Sequence, residues 1–82
     1  MPAAKSIRNR WIPVESEMLE FVRYSEEKRY FDAVFRTGDK YRYFDVPPFE
    51  FEGLMSADSI GQYMHKRILN NPRYKYERLA EA

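Results

Sequence analysis

At Pro47-Pro48 the hydrophobic pattern of this 82-residue chain changes its period, and that change constrains the fold more than any other feature. Before the prolines, the clearest stretch alternates Phe31, Ala33 and Phe35 with Asp32, Val34 and Arg36. Successive side chains of a strand face opposite ways, so the first set is expected to face a core. After the prolines, Phe51, Leu54 and Met55 fall at the i, i+3, i+4 spacing of one helical stripe. Proline cannot donate a ladder hydrogen bond, so the pair ends the sheet. Pro48 also suits the first turn of a helix, where Glu50 and Glu52 meet its positive end.

The segment from Glu17 to Val46 reads as three antiparallel strands, about 17–24, 29–36 and 40–46. Ser25-Glu26-Glu27-Lys28 and Thr37-Gly38-Asp39-Lys40 supply the turns, with Gly38 at positive φ. The first strand is mixed, Leu19 and Phe21 against Met18, Val22 and Tyr24, which suggests a bulge or burial on both sides. A second helix starts at Ser59, which forms an S-x-x-Q capping pattern with Gln62. It places Ile60, Met64 and Ile68 on one face and stops at Asn70-Asn71-Pro72. The expected fold class is α+β: a three-stranded antiparallel β-meander followed by two helices packed on one face. Residues 1–13 read as a basic flexible arm with Trp11 and Ile12 docking at its end, and residues 14–82 as a single domain. Tyr74 to Leu79 is free to pack back onto the sheet or a helix.

A chain this short buries only about 60% of its unfolded surface, so each large side chain counts. Fourteen aromatic residues outnumber the twelve Leu, Ile and Val together. Phe31, Phe35, Phe51 and Tyr43 are therefore core candidates. Tyr41-Arg42-Tyr43-Phe44 puts rings on both faces of one strand, yet helices are available to cover only one face. Some of these rings are expected to be exposed, and an exposed tyrosine beside arginine can stack nucleobases, at about 1–3 kcal/mol per base.

The net charge of +1 conceals an asymmetry. The first fourteen residues carry three bases and no acid, residues 15–58 carry six bases against eleven acids, and residues 59–82 carry five bases against two acids. Basic ends around an acidic middle suit an anionic partner. The absence of cysteine excludes a disulfide framework and cysteine-ligated metal, and a single histidine argues against structural zinc. His65 lacks a nucleophile partner, no glycine-rich phosphate loop is present, and Glu50 and Glu52 lie on opposite sides of their helix. No enzymatic activity and no cofactor are expected. No segment reaches the roughly 20 apolar residues that cross a bilayer. The opening MPAAKSIRNRW has no apolar leader core, so a cytoplasmic protein is expected.

From Ser16 to Leu79 the chain resembles a KTSC domain, a short module found at the C-terminus of some lysyl-tRNA synthetases and as stand-alone proteins in bacteria and phages. The resemblance rests on Tyr41-x-Tyr43 followed by Asp45-Val46-Pro47, on Phe51-Glu52-x-Leu54-Met55, on Ala57-x-Ser59-x-Gly61-x-Tyr63, and on Tyr74-x-Tyr76-x-Arg78-Leu79. Upstream, Phe31-x-Ala33-x-Phe35-x-x-Gly38 fits the second strand and its turn. The chain departs from the family at Ser16-Glu17, Arg23 and Met64-His65. The resemblance implies RNA binding through its association with the synthetases. Two functions follow as expectations. One is a nucleic-acid-binding module in which Tyr41 or Tyr43 stacks bases while Arg42, Lys66, Arg67, Arg73 and Lys75 neutralise phosphates. The other is an interaction or inhibitor domain with a protein partner, or a homodimer formed over the uncovered sheet face.

Overall fold

The computed structural model describes residues 10–79. Five antiparallel strands form one sheet in chain order: β1 (Ile12–Pro13), β2 (Leu19–Ser25), β3 (Tyr30–Phe35), β4 (Lys40–Tyr43) and β5 (Tyr76–Arg78). Between β4 and β5 lie α1 (Pro48–Ser56) and α2 (Ile60–Tyr63), the latter running straight into a π-helical turn (Met64–Leu69).

The sheet thus has two more strands than the sequence pattern predicts, both at its edges. β1 is only two residues long, and its Pro13 carries no N–H, so neither period nor propensity marks it. All three residues of β5 are exposed, which removes the buried alternation by which a strand is read. Ile12 pairs with Val22 and Pro13 with Phe21, so these two residues belong to the sheet rather than to an arm. The remainder of the predicted arm, residues 1–9, lies outside the described residues.

The three central strands sit close to their predicted positions. The register shifts between Leu19 and Phe21, the bulge that the mixed pattern suggests. Gly38 takes φ 98° in the β3–β4 turn, where its N–H reaches Phe35 O at 2.8 Å. β4 ends earlier than expected because Asp45 turns the chain at φ 58°. That turn buries Val46, whose carbonyl accepts the Tyr24 hydroxyl at 2.6 Å and whose N–H bonds Arg29 O at 3.0 Å. Pro48 opens α1 as the proline rule requires. Ser59 caps α2 by accepting the Gln62 N–H at 3.2 Å. At the far end the Asn70 N–H reaches back five residues to His65 O.

The helices cover the face that presents Val22, Tyr24, Phe31, Ala33 and Tyr43. Leu54, Met64 and Ile68 close over it, and Tyr24 stacks on Phe51 at 5.0 Å. Of the predicted core rings, Phe31, Phe51 and Tyr43 are buried, and Phe35 is partly buried, packed against the edge of the same core.

Candidate nucleic-acid interface

Strand parity separates the residues that the sequence groups together. Tyr41 pairs with Ala33 and Tyr43 with Phe31, so both tyrosines face the helices, while Arg42 pairs with Asp32 on the other side. Tyr41, Arg42 and Tyr43 therefore do not form one exposed platform. Tyr43 is only 3% exposed and cannot stack a base on its ring face, because Phe31 and Tyr76 already flank it. Tyr41 is half-buried, edge-on to Phe35 and to Tyr76.

Arg42 is committed elsewhere. Its Nε donates to Asp32 Oδ1 at 2.9 Å and its Nη2 to Oδ2 at 3.1 Å. Arg23 donates to the same carboxylate through Nε at 3.1 Å and Nη2 at 2.8 Å. The buried Asp32 thus sits between two guanidiniums, and its hydrogen bond raises the pKa of Arg42 further. Each arginine also lies over a ring, Arg23 over Trp11 at 4.1 Å and Arg42 over Tyr30 at 4.4 Å. The open face is a ladder of charge and aromatic rings that spends its cations internally.

On the helix side, β4, β5 and the end of the π-turn enclose a cleft of about 530 Å³. Tyr41, Tyr43 and Tyr76 line it from the sheet, together with Leu69, Pro72 and Lys75. Tyr76 is 65% exposed. Burial foremost, and then the neighbouring phenols of Tyr41 and Tyr76, push the Tyr43 pKa up to about 12. Of the expected phosphate-binding cations, Lys66, Arg73 and Lys75 are exposed and make no ion pair among the described residues. Arg67 is tied to Glu50 at 3.4 Å, and Arg78 of the same edge to Asp39 at 2.8 Å.

The fold also builds a buried polar centre that sequence reasoning missed. Glu50 accepts the Tyr63 hydroxyl and the Tyr74 hydroxyl, each at 2.9 Å, while Arg67 approaches the first of its oxygens. Its partners stand 13 and 24 residues away, so no local motif announces them. Gly53 was the available signal: a Cβ there would run into the Tyr63 ring tip, and a glycine inside a helix marks such a close approach. The clamp holds Tyr74, and with it the loop bearing Arg73 and Lys75, against α1. Burial, with help from Glu50, pushes the Tyr74 pKa up to about 12.

The sequence pattern of the KTSC domain matches residues 15–76. The chain belongs to the KTSC family. A KTSC domain protein from Yersinia pestis superposes with a TM-score of 0.80 at 24% identity, covering 87% of this chain and 97% of the other, a likeness of fold. A protein of Tsukamurella paurometabola is 32% identical over 63 residues, covering 77% of this chain and 91% of its own length. An uncharacterised protein of Stutzerimonas stutzeri is 29% identical over 68 residues, covering 83% and 94%. The KTSC match takes in the cleft residues from Tyr41 to Tyr76 and the Glu50 clamp, but not Trp11 or Arg78. Among the described residues, no helix of this KTSC protein is long and apolar enough to cross a membrane, and no cluster of His, Asp or Glu could hold a metal ion.

Proposed function

We propose that this KTSC protein binds single-stranded nucleic acid, RNA foremost, along the basic lip of the cleft between β4–β5 and the π-turn. One observation carries the reading: the 65%-exposed ring of Tyr76 stands directly beside Lys75, with Tyr41 behind it. Every base has a π-face, so such a ring stacks without regard to sequence, while free cations follow the backbone. Lys66, Arg73 and Lys75 supply that charge, and Arg42 on the far face takes no part. Three phosphate contacts on a single strand give a log–log salt slope of about −2. Titrating labelled protein with short RNAs at two salt concentrations tests this. Binding that weakens with that slope supports the reading, and no binding at tens of micromolar protein ends it.

A second reading, docking of a protein or a second copy on the open face, is favoured by Phe21, 37% exposed beside a shallow hollow lined by Trp11 and Val34. Aromatic residues with arginine at their rim suit an interface centre. Sedimentation detects self-association. Co-purification after nuclease treatment separates a protein partner from one bridged by nucleic acid.

A further inference from the structure

Three tyrosines are buried in this domain, and two of them place their hydroxyl on a protein acceptor. Tyr24 donates to Val46 O at 2.6 Å and Tyr74 to Glu50 Oε2 at 2.9 Å. The Tyr43 hydroxyl, on a residue 3% exposed, has no hydrogen-bond partner among the described residues. An unmatched buried hydroxyl costs about 1–3 kcal/mol, and phenylalanine would fill the same space without that cost. The ring is fixed from both sides, by Phe31 at 6.0 Å and Tyr76 at 5.7 Å. Tyr43 lines the cleft, and the phenols that act on its hydroxyl are those of Tyr41 and Tyr76, which line it too.

The rest of the cleft narrows what that hydroxyl serves. Leu69, 39% exposed, and Pro72 add apolar surface to the lining. Asn71, the one amide in the lining, is held at both ends: its Nδ2 donates to Arg67 O at 3.2 Å and its Oδ1 accepts the Arg73 N–H at 3.0 Å, which fixes its orientation. The phenols add hydroxyls that both donate and accept, and Lys75 is an exposed cation in the same lining. An aliphatic ligand would leave the Tyr43 hydroxyl unmatched, and a lone phosphate would leave the rings unused. A flat ring with a hydrogen-bonding edge and an attached phosphate uses all of them, and about 530 Å³ falls within the range of small-ligand sites.

We infer that the cleft receives the base of one nucleotide, its edge hydrogen-bonded to the Tyr43 hydroxyl, its face against Tyr76 and its phosphate at Lys75. The inference rests on the nucleic-acid reading and specifies its site. A hydroxyl both donates and accepts, so it pairs with a carbonyl or an amino group, and the base preference it confers is modest.

The experiment is an amide-resonance titration of the full chain with each of the four ribonucleoside monophosphates, with one nucleoside lacking phosphate, and with inorganic phosphate. It is repeated for Tyr43→Phe and Tyr76→Ala. Wild-type shifts are expected at Tyr41, Tyr43, Leu69 and Tyr76 with the nucleotides, weaker ones with the nucleoside, and none there with phosphate. Tyr43→Phe is expected to weaken nucleotide binding about fivefold, the worth of one hydrogen bond. The same variant should melt no earlier than wild type, since it removes only an unmatched hydroxyl, so a loss of binding cannot be ascribed to unfolding. The inference is overturned if nucleotides leave the cleft resonances unmoved or bind Tyr43→Phe undiminished. Short RNA run alongside distinguishes the two failures. Salt-dependent RNA binding with a silent cleft removes this site and keeps the basic lip, whereas absence of RNA binding removes both.

Discussion

On the helix side of β4, Tyr41 and Tyr43 join a row of rings that ends at the exposed Tyr76, with the exposed Lys75 in the same cleft lining. One residue away, on the open side, Arg42 is locked with Arg23 onto the buried Asp32 and roofed by rings. The same residue types, tyrosine and arginine, serve opposite ends on the two faces. On the open face the charges satisfy one another and the rings cover them, so little remains to attract a ligand. At the cleft the rings pack together, and the cations of the adjoining loop are left facing water. Uncovered sheet is thus not the same as available surface: the covered side of this sheet holds the more available edge.

The sharpest way to break that comparison is Asp32→Ala. It leaves two guanidiniums facing each other without a counter-charge on a three-quarters buried surface. Removing one member of a buried ion pair costs about 3–5 kcal/mol, and the partial exposure of both arginines reduces this to roughly 2–3 kcal/mol. Chemical denaturation should show that loss, while affinity for single-stranded RNA stays unchanged because the carboxylate faces away from the cleft. If Asp32→Ala instead alters RNA affinity severalfold at temperatures where the variant is folded, the two faces are not functionally separate.

Alkaline pH probes the cleft side. Tyr43 and Tyr74 each have a folded-state pKa raised from the ordinary 10 to about 12. The neutral phenol is the form the fold favours, so the stability these groups contribute is whole below pH 10. Between about 10 and 12 the unfolded chain ionises while the native one resists, and stability falls with rising pH. Phenolate absorbance should therefore show at least three tyrosines titrating late, since the Tyr63 pKa is raised as well, together with unfolding, and Tyr74→Phe should remove one of them. Titration of all the tyrosines near pH 10 with the fold intact would contradict the burial described here.

What the sequence revealed follows from the range of the interactions involved. Period and turn chemistry are local, and they located β2, β3, β4, the helix start at Pro48 and the cap at Ser59. The outer strands escaped because β1 and β5 are too short for a period and are held by pairing with neighbours rather than by their own pattern. The site was legible only in part. Tyr41 and Lys75 both line the cleft, but β4 ends near Tyr43 and keeps strict alternation, which sends Arg42 to the other face. Aromatic residues on both faces did mean that both needed cover, as the pattern implied. The cover on the open side comes from Trp11 and paired arginines, through contacts spanning nine to twelve residues that no local signature marks.

Trp11 offers the finest test. It precedes the span matched by the KTSC pattern and lies over Arg23, so it secures the Asp32 ladder from one end. A cation–π contact at a partly exposed site is worth about 0.5–1 kcal/mol, and in a domain of this size each kilocalorie moves Tm by roughly 4–8 °C. Trp11→Ala should thus lower Tm by a few degrees and leave RNA affinity untouched. A double-mutant cycle with Arg23→Ala isolates the contact from the apolar area lost over Phe21 and Val34. Coupling within that range makes the stack a stabilising part of the open face. Zero coupling would mean that Asp32 alone aligns the arginines and that the indole serves as apolar cover, which would shift weight toward the open face as a docking surface.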